Sequence, residues 1–502
     1  MNLSPRWKIS PFAAPRSLGA ALALFLAFAV ALAPLATLAQ KAKPAETPKK
    51  VFPYPIHKRT FANGLDVIVI ETPEFKDVLS YNTLVLAGAR NELEKGKTGL
   101  AHLFEHILFR HRWQGKEGGY EDLITRLGAH NNAWTWFDQT YYHPLTFTEN
   151  LLGRKSGAEQ LPGVVPLEAS RFAKLDFTEK IFKTEAGAVL GEYRRVASNP
   201  SLHMTERLLA LMFPHHPYGH DTIGYYDDVV NMPNVYDAAV RFYDTYYRPN
   251  NCVVVVAGDV KADDIYAKIE PYYRDWQRKE IPSIPESGAV PAKEQREHVP
   301  WDADVAPQVW VAYRMPAYKT GATETAVTQL LNELLVSQAA PLYKELRYEK
   351  QTASALGFEE GTRGFESFDA RVLIVSAQLY KEKLAKSGTA YFDEVAGDIT
   401  AATDELKRFS KQKDAKQLLD TLKSKYRYDF LAAMSSPAAI TENFAWYYRF
   451  DRDPDVLDKM LASVEKLTPL DVENFAKKYF VPEGRAILTM APKGAAGAPA
   501  TK

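Results

Sequence analysis

The residues best suited to chemistry lie in one short run, His102-Leu103-Phe104-Glu105-His106. Placed on a helix, His102 and His106 are four residues apart and share a face. Two imidazoles so arranged can ligate one Zn²⁺. Glu105 precedes the second histidine on the edge of that face, where its carboxylate can act as general base toward a zinc-bound water. The order H-x-x-E-H inverts the commoner H-E-x-x-H. A catalytic zinc takes three protein ligands and keeps one position open, so a third ligand is expected elsewhere. Phe182–Arg194 offers Glu185 and Glu192, seven residues and two helical turns apart, on a face shared with Val189. Geometry alone leaves the choice between the two open, as it does the alternative of an amphipathic helix with two solvated acids.

The distribution of histidine narrows where such a site can be. There are 11 in the chain and none beyond His298. The C-terminal half therefore cannot build a histidine-based zinc site, and its expected role is to close over substrate or to meet a partner. His215, His216 and His220, in FPHHPYGHD, read as solvated histidines of a Pro/Gly-rich loop.

Several elements must position these groups. Gly99–Phe109, Phe177–Ala197 and Val235–Tyr247 carry helical periodicity. Leu65–Ile70 follows an Asn63-Gly64 turn and reads as a strand, as do Tyr81–Ala87 and Cys252–Ala257. In the second half, Gln308–Tyr313 and Ala370–Val375 suggest strands, and Glu324–Leu335, Lys411–Phe430 and Pro469–Tyr479 suggest helices. The similar length and element order of the halves point to a duplicated α+β domain. The expected divisions are a first domain at 51–276, a linker at 277–300 dominated by IPSIPESGAVPAKEQREHVP, a second domain at 301–490 and a tail at 491–502.

Residues 1–39 read as a secretory signal. Arg6, Lys8 and Arg16 precede an apolar run from Leu18 to Ala33, too short for the roughly 20 residues of a spanning helix. Thr37-Leu38-Ala39 places cleavage before Gln40, leaving a Lys/Pro-rich leader at 40–50. A periplasmic protein without a stable membrane span is expected. The 502 residues carry 62 basic and 62 acidic side chains, which argues against a dedicated nucleic-acid binder. The one cysteine, Cys252, excludes an internal disulfide framework and reads as a buried small hydrophobe.

Taken in order, these patterns resemble the pitrilysin/insulinase family of inverted zincins, in particular its two-domain bacterial and mitochondrial-processing-peptidase-like branch. Gly99 to Phe109 is similar to the family's metal-binding helix. Gly128–Thr135, with Asp138 and Tyr141, is similar to its G-x-x-N-A-x-T segment. Phe213–Gly224 resembles its FPxHPYGxxxxG loop, and Tyr247–Asp259 its Y-x-P-N-N…V-x-G-D element. In the second half, Pro341–Arg347 resembles SxLYxxLRE, and Leu467–Pro482 the closing helix.

The resemblance implies two similar domains, each a mostly antiparallel sheet packed with helices, forming one half of a clam-shell dimer. It implies a zinc endopeptidase acting on oligopeptides or unfolded segments. The later glutamate, Glu192, would then join His102 and His106 as metal ligands for one Zn²⁺ per chain. Glu105 would be the catalytic base, with Glu185 in support. The spacing from His106 to Glu192, 86 residues, is longer than usual for the family and places an insertion around Gly153–Ser170. Asn131, Asn132, Ala133 and Thr135 would line the edge strand on which an extended peptide pairs, and Arg347 would bind substrate. A tyrosine usually follows that arginine by seven residues, but here the position is Ser354. Tyr348 or Tyr380 would have to substitute, or a partner in a homodimer or heterodimer would supply an intact Arg/Tyr pair. The alternative is a catalytically silent or weak subunit that keeps the fold for binding.

Overall fold

The computed structural model describes residues 51–359 and 367–495. The expected secretory signal (1–39), the leader (40–50) and residues 496–502 of the expected tail lie outside the described residues. No helix among the described residues is long and apolar enough to cross a membrane.

The N-terminal half contributes β1 (Ile56–Thr60), β2 (Asp66–Glu71), β3 (Val78–Val85), β4 (Ala133–Thr135), β5 (Thr140–Tyr142), β6 (Leu145–Phe147), a separate hairpin of β7 (Gly153–Ser156) and β8 (Glu159–Pro162), and β9 (Cys252–Gly258). The hairpin lies within Gly153–Ser170, the stretch where the resemblance implies an insertion. The C-terminal half contributes β10 (Gln295–Trp301), β11 (Gln308–Met315), β12 (Ala355–Glu359), β13 (Arg371–Gln378) and β14 (Arg485–Pro492). The first sheet runs β1-β2-β9-β3-β5-β4, with β6 also paired to β3, and the second runs β10-β14-β11-β13-β12. Their shared part is a topological repeat. In β2-β9-β3-β5-β4, as in β10-β14-β11-β13-β12, the first pair is parallel and the other three are antiparallel. The last strand of each half thus returns to the interior of its sheet. The fold is α+β and duplicated.

Burial explains why β2 and β9 read as unbroken apolar runs rather than alternating ones, since a strand covered on both faces needs apolar side chains on both. On one face Val67, Val69, Val254 and Val256 pack with Leu103, Phe104, Ile107 and the other helices of the N-terminal half. On the opposite face Ile68, Ile70, Val253 and Val255 meet Ile440, Phe444, Tyr448, Leu457 and Leu461. Those last five come from helices Pro437–Asp451 and Val456–Glu465 of the C-terminal half. The exchange is mutual. Helix Pro200–Met212 lays Met204, Leu208 and Met212 on Trp310, Ala312, Leu488 and Met490 of the second sheet. Each half therefore completes the core of the other.

Three local readings need correction. Strand β10 begins at Gln295, inside the stretch expected as linker, because pairing with β14 satisfies its backbone despite Pro300. At the other end β14 runs through Pro492, into the stretch expected as tail. The single helix expected over Glu324–Leu335 is two, Thr323–Thr328 and Leu331–Leu335. Between them Leu330 N bonds Val327 O, three residues back. Thr325, Val327 and Thr328, close before the break, are β-branched and poor helix formers. Helix Pro469–Tyr479 has the bounds expected and opens on a capping box of Thr468 and Asp471. Cys252 is fully buried, as expected.

Because Phe444 is fully buried against the first sheet, Phe444→Ala is expected to cost about 3–5 kcal/mol. A urea midpoint lowered accordingly would confirm that the exchanged helices complete the N-terminal core. A loss under about 1 kcal/mol would mean they only rest on it.

Candidate metal centre

The histidine helix, Leu100–Phe109, is amphipathic in the simplest way. Leu103, Phe104, Ile107 and Leu108 are fully buried, and Phe104 stacks on Phe242 and Tyr243 with Phe177 edge-on. That anchorage leaves His102, Glu105 and His106 on the opposite, partly open face, with the histidine rings 4.9 Å apart and nearly perpendicular. The glutamate helix, Glu179–Val196, starts where Thr178 Oγ1 accepts from Ile181 N at 3.2 Å. It buries Phe182, Glu185, Ala186, Val189 and Tyr193, a stripe of helical period, against the same core.

Packing the two helices together brings three donors into one place. Nε2 of His102 is 3.6 Å and Nε2 of His106 is 3.7 Å from Oε2 of Glu192. One ligand atom from each of the three residues lies within 4.8 Å of the others. Ligand atoms about 2.0–2.2 Å from a tetrahedral Zn²⁺ sit roughly 3.4 Å from each other, so the set fits that ion with little adjustment. The side chain of Glu192 is 32% exposed, which leaves the face accessible. Glu185 is not in this set. Its Oε2 lies 3.5 Å from His106 Nδ1, and its Oε1 accepts from Arg110 Nε at 2.9 Å. A carboxylate on Nδ1 keeps the hydrogen there and turns the Nε2 lone pair toward Glu192.

Electrostatics sort the groups. Burial, aided by the neighbouring His106, pulls His102 down to about 3, so its imidazole is neutral. Burial also lowers His106, but its hydrogen bond to Glu185 and the charges of Glu105, Glu185 and Glu192 outweigh it and raise the net value. Glu105 is pushed up to about 7 by burial, against the opposing hydrogen bond from Thr135. Glu185 stays below the usual carboxylate range, because its bonds to His106 and Arg110 exceed the effect of burial.

The expected edge segment lies beside Glu105. β4 pairs only with β5 among the described strands, so its other edge is free of strand pairing. Thr135 Oγ1 donates to Glu105 Oε2 at 2.6 Å. Ala133 pairs with Tyr142, and Asn132 O accepts from His143 N at 2.9 Å. The side chain of Asn131 turns inward, donating to the Tyr120 hydroxyl at 3.2 Å. The hydrogen bonds of Arg347 do not bring it to the cluster: it donates to Ala353 O at 2.7 Å and to the Tyr380 hydroxyl at 3.2 Å, and Tyr343 is also beside it. Of the two expected substitutes, Tyr380 reaches Arg347, whereas Tyr348 is 61% exposed. Ser354 Oγ donates to Gln378 O at 3.1 Å.

Two features escaped the sequence reading. Arg110 holds Glu185, a role visible only as an i+4 neighbour of His106. His216 and His220, read as solvated, are buried at 7% and 3% exposure, and only His215 is on the surface. The loop folds under the first turn of the histidine helix and against the 281–288 crossing, where His216 Nε2 donates to Pro285 O at 3.0 Å.

In metal-free protein, Glu185→Gln should move the His106 titration to lower pH, since the Glu185 carboxylate is among the groups that raise it. An NMR titration of the His106 ring checks this. An unchanged midpoint would remove Glu185 from the site.

Comparison with known proteins agrees with the geometry. Residues 67–225 match the family model for insulinase, peptidase family M16, and residues 234–410 match the peptidase M16 inactive domain. The zinc protease PqqE of Helicobacter pylori is 26% identical over 435 residues, covering 84% of this chain and 89% of that one. An uncharacterized zinc protease of Bacillus subtilis, YmfH, is 23% identical over 457 residues, covering 87% and 97%. The crystal structure of a protease from Helicobacter pylori superposes with a TM-score of 0.74 at 24% identity, over 88% of this chain and all of that one, a likeness of fold. With both family models matched in order and the His/His/Glu cluster inside the first, the chain belongs to the M16, or pitrilysin, family of peptidases.

Proposed function

We propose that this chain is a zinc metalloendopeptidase that hydrolyses peptide bonds in oligopeptides or unfolded segments. The observation that carries the reading is the convergence of His102, His106 and Glu192 on one open face with the Glu105 carboxylate beside them. His102 Nε2, His106 Nε2 and a Glu192 oxygen would hold the ion. Bound there, Zn²⁺ would acidify a water and polarise a carbonyl. Glu105 is the base. Thr135 fixes its Oε2, leaving Oε1 to take the water's proton and pass it to the departing amine. Its raised proton affinity suits both steps. An extended peptide would pair along β4, next to Glu105, by adding a strand to the sheet edge. We further propose that the protein works in the periplasm after loss of residues 1–39, as part of a dimer of related chains.

A second reading, a subunit kept for binding with weak or no catalysis, draws support from Ser354 at the expected tyrosine position. One assay separates the two, using unstructured quenched-fluorophore peptides with and without chelator. The expected result is chelator-sensitive cleavage. Glu105→Gln should retain one zinc per chain and lose about 10²–10⁴ in rate. Cleavage by Glu105→Gln at the unsubstituted rate would sink the assignment of the base, and a zinc-loaded chain silent until mixed with a related chain would place the Arg/Tyr contribution on the partner.

A further inference from the structure

The amino end of the histidine helix is gripped by a carboxylate with no role in the chemistry above. The side chain of Glu92 is fully buried. Its Oε2 accepts from Gly99 N and its Oε1 from Ala101 N, both at 2.7 Å. First-turn N–H groups have no partner within a helix, and a carboxylate there also faces the positive end of the helix dipole.

His220 stands across from Glu92. Its Nδ1 lies 2.8 Å from Asp221 O, so that nitrogen carries a hydrogen. Its Nε2 is buried, has no hydrogen-bond partner among the described residues and lies 3.8 Å from Glu92 Oε2. Two buried lone pairs facing each other repel unless one proton is shared between them. The same loop grips the helix again just upstream, where Thr98 Oγ1 accepts from Tyr225 N at 2.8 Å and donates to Asp228 Oδ2 at 2.7 Å. Contact is too close for slippage. Gly99 and Gly224 have φ of 87° and 89°, and a Cβ on Gly224 would fall 2.7 Å from Gly99 N.

The two histidines are supported unequally. His106 has Glu185 on its Nδ1. The Nδ1 of His102 is buried with no hydrogen-bond partner among the described residues. No hydrogen bond among the described residues holds that Nδ1 as Glu185 holds its counterpart, so the ring's aim leans on the helix backbone, and His102 stands one residue beyond the Ala101 amide that Glu92 holds.

We propose that Glu92 and His220 are a positioning pair that fixes the first turn of the histidine helix and thereby the placing of His102, as Glu185 does for His106. The inference rests on the metal centre proposed above and deepens it. The HPYGH loop thus becomes part of the site's support rather than a surface feature.

The test is zinc affinity of the mature chain by competition with a chromophoric chelator, together with the visible spectrum of the Co²⁺-loaded protein. Glu92→Gln and His220→Leu should each weaken zinc binding about 10- to 100-fold and alter the Co²⁺ spectrum. His220→Gln, which can present an amide N–H to Glu92, should restore both. Zinc affinity and Co²⁺ spectrum unchanged in Glu92→Gln and His220→Leu, even with a lowered thermal midpoint, would overturn the pair's role and leave it a structural cap. If Glu92→Gln does not fold, His220→Leu against His220→Gln decides. An unsubstituted chain that binds no zinc would overturn the metal centre itself, and is told apart because no variant is needed to see it.

Discussion

The two ε nitrogens of His102 and His106 meet one oxygen of Glu192, and the packing of the two helices that carry them is the constraint on which the site depends. Donors on a rigid helix cannot be adjusted one at a time. A one-residue shift of the glutamate helix would rotate its carboxylates by about 100° and lose the convergence. What holds the crossing is apolar. Phe104 and Ile107 face inward from one helix, Phe182 and Val189 from the other, into one core over the first sheet. Close packing makes such a core intolerant of small displacements, which suits a site built from three convergent atoms.

Around that core the polar groups divide the work by environment. His102 is desolvated and neutral. His106 is tied to Glu185, which is tied to Arg110. Glu105 is held by Thr135 from the neighbouring edge strand. Two carboxylates within reach of one histidine thus carry opposite shifts, Glu105 upward by burial and Glu185 downward by its bonds. That separation is what distinguishes a group able to move a proton from one that stays charged and orients a ring.

The duplicated topology shows what the C-terminal half contributes without any histidine of its own past His298. It repeats the five-strand arrangement, with β12 in the slot of β4, but the helices between β11 and β12 carry no histidine pair. It also lends helices Pro437–Asp451 and Val456–Glu465 to the far face of the first sheet. Strands with apolar residues on both faces require that cover, so the half that carries His102, His106 and Glu192 is completed by a half that carries none of them.

Short-range pattern was legible in the sequence because it obeys local rules. The period of the histidine helix, the strands of β2, β9 and β11, the helix Pro469–Tyr479 and the H-x-x-E-H spacing all follow from neighbours within a few residues. So did the inability of the C-terminal half to build a second histidine site. The choice between Glu185 and Glu192 was not local; both lie on one helical face, and resemblance alone favoured the later one. Only the helix crossing put Glu192 between the two ε nitrogens and Glu185 behind His106. Glu92 was equally invisible, since nothing nearby marks an acid whose partners are the amides of Gly99 and Ala101. His220 is buried although a Pro/Gly-rich loop is ordinarily solvated, because this one is folded under a helix end. The sequence by itself determined which groups could do chemistry and which elements carry them, since composition and periodicity act over a few residues. The tertiary structure decided which carboxylate meets the histidines and which only supports them, because burial and convergence are set by contacts between segments that the chain keeps far apart.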